Sequence, residues 1–369
     1  MHDFGIGIEC RTEKKVKPHG NDLEFGVHFT DHMFVMDYSS NLGWHDPRII
    51  PHQPLLLDPA SKVFHYGQAS FEGMKAYRTP SGGIQLFRPR DNFNRLNRSN
   101  SRMCMPEIDV ELALTALKRL IALDSEWVPE GRGNSLYIRP FVIATQPALG
   151  IAPSERFQFI IILSPVGPYY SEGLKPVHIY VEPEAVRAVA GGVGEAKTSG
   201  NYAATFKSQH MAQKQGYAQV MWLDGAEHKY VEEVGSMNVF FVIDGKVFTP
   251  ALSGSILPGI TRDSCLELLR HKGIEVEEKR LSIEEIFEAG RSGALQEAFG
   301  SGTAAVISPI RELCWKGERL TVGDGTTGTV TGRMYMALTD IQTGAVEDPF
   351  GWTMAVKTGV TAVESNFYK

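Results

Sequence analysis

The chain has 369 residues, 43% of them hydrophobic and 22% charged, with a formal net charge of −6. At roughly 150 residues per domain this is material for two globular domains, and the ordinary composition excludes a disordered chain. No Lys/Arg cluster marks a nucleic-acid surface, and no apolar run approaches the ~18 residues of a membrane helix. The charged segment Met1–Gly20 has no apolar block behind it and does not read as a signal peptide.

From Glu24 to about Pro165 the pattern predicts short strands and two helices. One helix, Asn92–Arg102, opens after Asp91 as N-cap. The other, Glu111–Leu123, repeats Leu112, Ala116, Leu120 and Leu123 at helical spacing. Tyr137–Ala144 and Phe157–Leu163 read as buried strands. The stretch Ser164–Gly173 holds two prolines and two glycines and predicts a domain boundary. The expected division is a smaller N-terminal domain over 1–164, a linker over 165–176 and a larger domain over 177–369.

Beyond the linker, Val177–Glu182 and Ala218–Leu223 read as strands, and Ala203–Gln215 as one helix stopped by Gly216. Asn238–Ile243 and Lys246–Thr249 flank Asp244-Gly245, the favoured pair for a type I′ hairpin. Thr261–Lys272 is a predicted helix, and Ser282 with Glu285 forms a capping box opening another. Hairpins mixed with helices predict an α+β fold. The region after about Leu320 carries no assignment beyond completing the second domain.

Cys10, Cys104, Cys265 and Cys314 are too scattered for a zinc knuckle or a disulfide framework and read as reduced thiols of a cytoplasmic protein. His28 and His32 stand at i, i+4. On the strand expected there that spacing spans ~13 Å, too far for one metal ion, and no metal is expected.

The segment Gly191-Gly192-Val193-Gly194-Glu195-Ala196-Lys197-Thr198-Ser199-Gly200-Asn201-Tyr202 surrounds a lysine with glycines, which permit unusual backbone and close approach. Two chemistries compete for it. A phosphate loop, G-x-x-x-x-G-K-[ST], matches at Gly191, Lys197 and Thr198 but meets Ala196 in place of its second glycine. A Schiff-base lysine attacks a carbonyl through an amine of lowered pKa.

The chain resembles the branched-chain amino-acid aminotransferases, within fold type IV of the pyridoxal-phosphate enzymes. The resemblance rests on His65-Tyr66-Gly67-Gln68 with Phe71–Tyr77, on Leu136-Tyr137-Ile138-Arg139-Pro140, and on Lys197 with Gly200-Asn201-Tyr202. Glu233–Asn238, Ile256–Arg262 and Phe299–Ala304 complete it, in the family's order. It implies a two-domain fold whose C-terminal domain carries a mixed barrel-like sheet, and pyridoxal 5′-phosphate as cofactor.

By family position Lys197 is the Schiff-base and proton-transfer residue. Glu233 holds the pyridine nitrogen, and Tyr202 the phenolic oxygen. Strand alternation turns the adjacent Glu232 elsewhere. The phosphate falls to Ile260 and Thr261 at a helix N-terminus and to Arg95, whereas Arg98 and Arg102 read as surface residues. Ser236 lies near cofactor and substrate. The substrate walls implied are Tyr66, Tyr137 and Tyr169, with Phe25. Arg139 pairs with the glutamate side-chain carboxylate, and Thr303 and Ala304 offer backbone N–H groups to the α-carboxylate.

Ala305 and Ser308 stand where some members carry a C-x-x-C pair, which excludes a thiol switch there. The implied activity is transfer of the amino group between leucine, isoleucine or valine and 2-oxoglutarate by a ping-pong route, in at least a homodimer. D-Amino-acid aminotransferases and aminodeoxychorismate lyases share the fold and are the alternatives. No nucleic acid or membrane partner is implied.

Overall fold

The computed structural model describes residues 4–18, 23–168 and 174–358. It divides into two compact units, Met1–Tyr169 with Ile341–Lys369, and Tyr170–Asp340. Each is described by itself.

The first unit runs β1 (Gly7–Ile8), β2 (His32–Ser39), β3 (Gly43–Pro51), α1 (Lys62–Tyr66), β4 (Ala69–Phe71), β5 (Met74–Arg78), β6 (Ile84–Phe87), α2 (Pro89–Arg102), α3 (Val110–Leu123), β7 (Ser135–Ala144) and β8 (Arg156–Val166). The sheet order is β1-β3-β2-β8-β7-β5-β6, with β4 on β7. The central strand β8 is buried on both faces. Phe157, Phe159, Ile161 and Leu163 join the core beneath α2 and α3, while Ile160 packs with Met33 and Val35 on the opposite side. That is the period-two pattern of a strand covered on both sides.

The helix predicted after Asp91 begins earlier, at Pro89, with Arg88 as N-cap at φ 48°. Proline suits a first helical position, because its missing N–H would be unpaired there anyway. Asp91 falls inside the first turn and takes an ion pair from Arg88 Nε at 2.6 Å. On α3, Asp109 caps the N–H groups of Glu111 and Leu112. The buried stripe of α3 is Ala113, Leu114, Ala116, Leu117, Leu120 and Ile121.

Strand β8 also continues through Pro165 to Val166, into the stretch expected to be linker. Its register with β2 ends at Ile161, so beyond that point one edge needs no ladder donor and tolerates proline. Residues 169–173 of that expected linker lie outside the described residues.

The second unit comprises β9 (Val177–Val181), α4 (Ser199–Ala203), α5 (Phe206–Lys214), β10 (Gln219–Leu223), β11 (Val231–Val234), β12 (Met237–Ile243), β13 (Lys246–Pro250), α6 (Ile260–His271), β14 (Val276–Lys279), α7 (Ile283–Ser292), β15 (Leu295–Gly302), β16 (Val306–Trp315), β17 (Glu318–Thr321) and α8 (Thr329–Thr343). Strands β11-β10-β9-β16-β15-β12 pair in that order, and β12 pairs back onto β11. This closes a six-stranded barrel, which leaves no open edge within the ring. Strand β9 is parallel to both neighbours, whereas β11, β12, β15 and β16 pair with one another antiparallel. The fold is therefore α+β with a mixed barrel-like sheet.

Asp244 and Gly245 take φ 48° and 78°, the left-handed pair that a type I′ turn requires. The Ser282–Glu285 capping box opens α7. The single helix expected over Ala203–Gln215 is instead two. Thr205 Oγ1 donates to Tyr202 O at 2.7 Å and interrupts the helical ladder between α4 and α5. Glu297 accepts the N–H groups of Val330 and Thr331 at 2.9 and 2.8 Å and so caps the first turn of α8. The last strand, β18 (Thr353–Val356), pairs antiparallel with β6. The chain from Ile341 on, with the last three residues of α8, thus belongs to the first unit rather than to a domain running unbroken from 177. Among the described residues no helix is long and apolar enough to cross a membrane.

Candidate active site

The glycine-rich loop before α4 is held by its own asparagine. Asn201 Nδ2 donates to Val193 O at 2.7 Å and to Ala196 O at 2.9 Å. Those two bonds fix the loop on either side of Glu195 and present the next residue, Lys197. A Cβ on Gly194 would collide with the backbone of Ser255, so glycine is what lets these two segments touch. Lys197, half-buried, reaches Tyr202 across the start of α4: Nζ to the phenol oxygen is 2.7 Å. A five-residue helix follows the lysine, so the long helix N-terminus of a phosphate loop is missing here.

Glu233 is 3% exposed. Its Oε1 accepts the Leu257 N–H at 2.8 Å, and Arg187 Nε stands 3.3 Å from Oε2. That approach makes an ion pair, but Arg187 Nε is not aligned for a hydrogen bond. Arg187 Nη2 donates instead to the carbonyls of Ser255 and Gly194. One guanidinium thus ties the carboxylate to the loop that carries the lysine.

The expected opposition of Glu232 and Glu233 is not observed. Val231 pairs with Leu223 and Glu233 with Trp222, so Glu232 is the extra residue of a β-bulge. Both side chains consequently reach the same segment: Ser255 Oγ donates to Glu232, and Leu257 N donates to Glu233. Simple alternation fails because the bulge resets the pleat.

The start of α6 is built by a second asparagine. Asn238 Nδ2 donates to Leu257 O at 3.0 Å, and its Oδ1 lies so close to Gly259 that no Cβ would fit there. Gly259 is the N-cap and supplies no side chain, and Ile260 and Thr261 are buried in the first turn. Arg262 turns away, donating to Pro250 O at 2.9 Å and Glu278 at 2.7 Å, and serves the fold. Thr303 and Ala304 form the turn between β15 and β16, followed by Val306 at φ 62°. A β-branched residue in the left-handed region marks strain at that turn. A cavity of about 200 Å³ is lined by Tyr202, Glu233, Ser236, Leu257, Arg187 and Trp222, among others. Ser236 is exposed at its mouth.

In the first unit a second group of expected residues converges. Arg139 Nη2 donates to the Tyr137 hydroxyl at 3.0 Å, and its guanidinium lies 4.8 Å over Phe71. Phe25 meets Tyr137 edge-on at 4.8 Å. Gly73 lies directly under the Tyr137 hydroxyl, with no room for a Cβ. Tyr66 is 42% exposed and its hydroxyl donates to Leu149 O. Arg95 is buried on α2 and grips Glu72 with two donors, at 2.8 and 2.9 Å. Arg98 and Arg102 are exposed. Tyr169 lies outside the described residues. His32 is not oriented toward a metal: Nδ1 lies 2.6 Å from Asp124, and Nε2 accepts the Arg11 N–H.

A lysine paired with a phenol, a buried carboxylate tied to the lysine's own loop, and a helix start cleared by a glycine make a recurrent set. Residues 69–313 match the family described as amino-transferase class IV. The chain belongs to the class IV aminotransferases. It is 58% identical over 343 residues to branched-chain-amino-acid transaminase 1 of Bacillus subtilis, covering 93% of this chain and 96% of that one. Among solved structures it superposes on the Escherichia coli branched-chain amino acid aminotransferase with a TM-score of 0.75, at 30% identity over 89% of this chain and 99% of that one. The branched-chain aminotransferase of the thermophilic archaeon Thermoproteus uzoniensis, solved with norvaline, gives 0.73, at 26% identity over 88% and 100%.

Arg187 has no sequence signal. It stands ten positions before Lys197 in no recognisable pattern, and only its contact with Glu233 reveals it. Asn201, Asn238 and Gly259 sit inside the quoted motifs, but their work as clamps is visible only in the hydrogen bonds.

Proposed function

We propose that this class IV aminotransferase transfers the amino group between leucine, isoleucine or valine and 2-oxoglutarate, using pyridoxal 5′-phosphate. The observation that carries the reading is the Lys197–Tyr202 contact beside a buried Glu233. The donor set fits the cofactor. A carboxylate accepts up to about four hydrogen bonds, so Glu233 can take a ring N–H besides that of Leu257. The N-cap Gly259 leaves the α6 terminus without a side-chain cap, a suitable seat for a dianionic phosphate.

When bound, the cofactor supplies an aldehyde that condenses with amines and a protonated ring that takes up the electrons left by a departing α-proton. Lys197 Nζ would hold that aldehyde and, once freed, would take and return the proton at the substrate's α-carbon. Tyr202 holds Nζ in place and would partner the ring's phenolic oxygen. Glu233, ion-paired with Arg187 and accepting the Leu257 N–H, would face the ring nitrogen and favour its protonated form. Ile260 and Thr261 would hold the phosphate, and Ser236 borders the site.

Arg95, Phe25, Tyr66, Tyr137, Arg139 and Tyr169 enter this reading through family position, the first for the phosphate and the rest for substrate. Thr303 and Ala304 take the α-carboxylate. An apolar side chain and the second carboxylate of glutamate can share one pocket when its walls are aromatic and carry hydroxyls. The same resemblance makes the working form at least a homodimer. The four free thiols suit the cytoplasm.

The test is the visible spectrum of the purified protein with cofactor. Bleaching by L-leucine and recovery with 2-oxoglutarate is the expected result. Bleaching by D-alanine alone would move the enzyme to the D-amino-acid relatives.

A further inference from the structure

Glu232 is the buried carboxyl group that the proposed reaction does not use. It is 4% exposed, one residue from Glu233, and the β-bulge turns both toward the Ser255–Leu257 segment. The charges around it do not balance. Arg187 favours its ionisation, whereas Glu233 and Asp224 both oppose it. Asp224 is anionic: burial works against that, but the backbone N–H groups of Tyr230, Lys229, Glu227 and Ala226 hold its carboxyl below the usual range. Glu233 has the Leu257 N–H and the Arg187 ion pair. Glu232 has a single hydroxyl partner, Ser255, and its Oε2 is buried without any hydrogen bond. Burial pushes its carboxyl upward, Ser255 and Arg187 pull against that, and Glu233 and Asp224 add to the rise. An unpaired buried charge is the costlier arrangement, so a proton is expected on one of the two adjacent glutamates.

We propose that Glu232 is a neutral carboxylic acid that positions Glu233, leaving the whole charge of Arg187 to Glu233. Ser255 Oγ donates to Oε1, so the proton resides on Oε2. Ser255 and Ser253 hydroxyls are 2.8 Å apart, and Ser253 is exposed, so the two serines form a proton path from solvent to the buried acid. An ionised Glu232 would share Arg187, repel Glu233 and weaken its hold on a protonated ring nitrogen. This role rests on the function proposed above for Glu233, but the protonation state does not.

The experiment compares Glu232→Gln, Glu232→Val and Glu233→Gln with the native protein. Difference infrared spectra of native protein against Glu232→Gln, taken without added cofactor, are expected to show a neutral-acid carbonyl band that the variant lacks. In the holoenzyme Glu232→Gln keeps native kcat and the native pH dependence of the visible band. Glu232→Val leaves the Ser255 hydroxyl without its acceptor; it lowers kcat roughly tenfold with little change in KM and displaces that pH dependence. The proposal is overturned if no carboxylic-acid band is lost, or if Glu232→Gln is as impaired as Glu232→Val. Should Glu232→Val fail to fold, the infrared band and Glu232→Gln still decide. If Glu233→Gln leaves spectrum and turnover unchanged, the role of Glu233 fails while the protonation of Glu232 stands.

Discussion

Lys197 and Tyr202 meet twice: Nζ lies 2.7 Å from the phenol oxygen and 5.2 Å from the centroid of its ring. The lysine is thereby held at one end of a five-residue helix whose other end is the partner. Replacing Tyr202 with Phe keeps the ring and removes the oxygen. Turnover should fall roughly tenfold, the scale of one charge-assisted hydrogen bond, with the cofactor's visible maximum displaced. Lys197→Ala should abolish turnover while the protein still takes up cofactor. Native kcat in either variant would remove that residue from the mechanism.

Gly259→Ala places a methyl where Asn238 Oδ1 already stands. The Asn238–Leu257 bond must then break or the first turn of α6 must shift. Weakened retention of cofactor is expected, with phosphate-free pyridoxal bound as in the native protein. Equilibrium dialysis with the two forms checks this, since equal losses for both would place the damage elsewhere than the phosphate end.

Arg95 and Glu72 form a bidentate pair with side chains 4% and 0% exposed. Removing one partner of a buried pair strands the other charge, at a cost of about 3–5 kcal/mol. Arg95→Met should therefore unfold at much lower urea, and Arg95→Met with Glu72→Leu should recover most of the loss. A double variant no more stable than the single one would show that the pair is not the unit of stability.

Lys75 is buried on β5, and burial lowers its amine from 10.5 to about 8. The unfolded chain holds this proton up to about its ordinary range, whereas the folded chain releases it above pH about 8. Between those values the unfolded state binds more protons, so stability rises with pH there and is flat below. Lys75→Met should be more stable at neutral pH, by up to about 3 kcal/mol, and should lose the alkaline rise. Urea titrations at several pH values test it, and parallel curves for both proteins would refute it.

Much of this protein can be read from local chemistry. The Asp244-Gly245 hairpin, the Ser282–Glu285 box and the buried strand around Phe157–Leu163 depend on neighbours in sequence, and they form where the pattern places them. The glycines around Lys197 and the lysine's phenolic partner are likewise local, five residues apart.

Other features depend on residues far apart in the chain. The bulge that aims Glu232 and Glu233 the same way comes from pairing with β10. Arg187 is recruited by a carboxylate 46 positions downstream, and no propensity or period encodes that. The last strand joins β6, more than 260 residues upstream, because an edge left by one segment is satisfied by another. Sequence alone determined the family and most elements, and it singled out Lys197, since these follow from residue type and short spacing. Only tertiary structure decided which carboxylate pairs with Arg187 and where the chain's end belongs, because long-range pairing and burial set those energies.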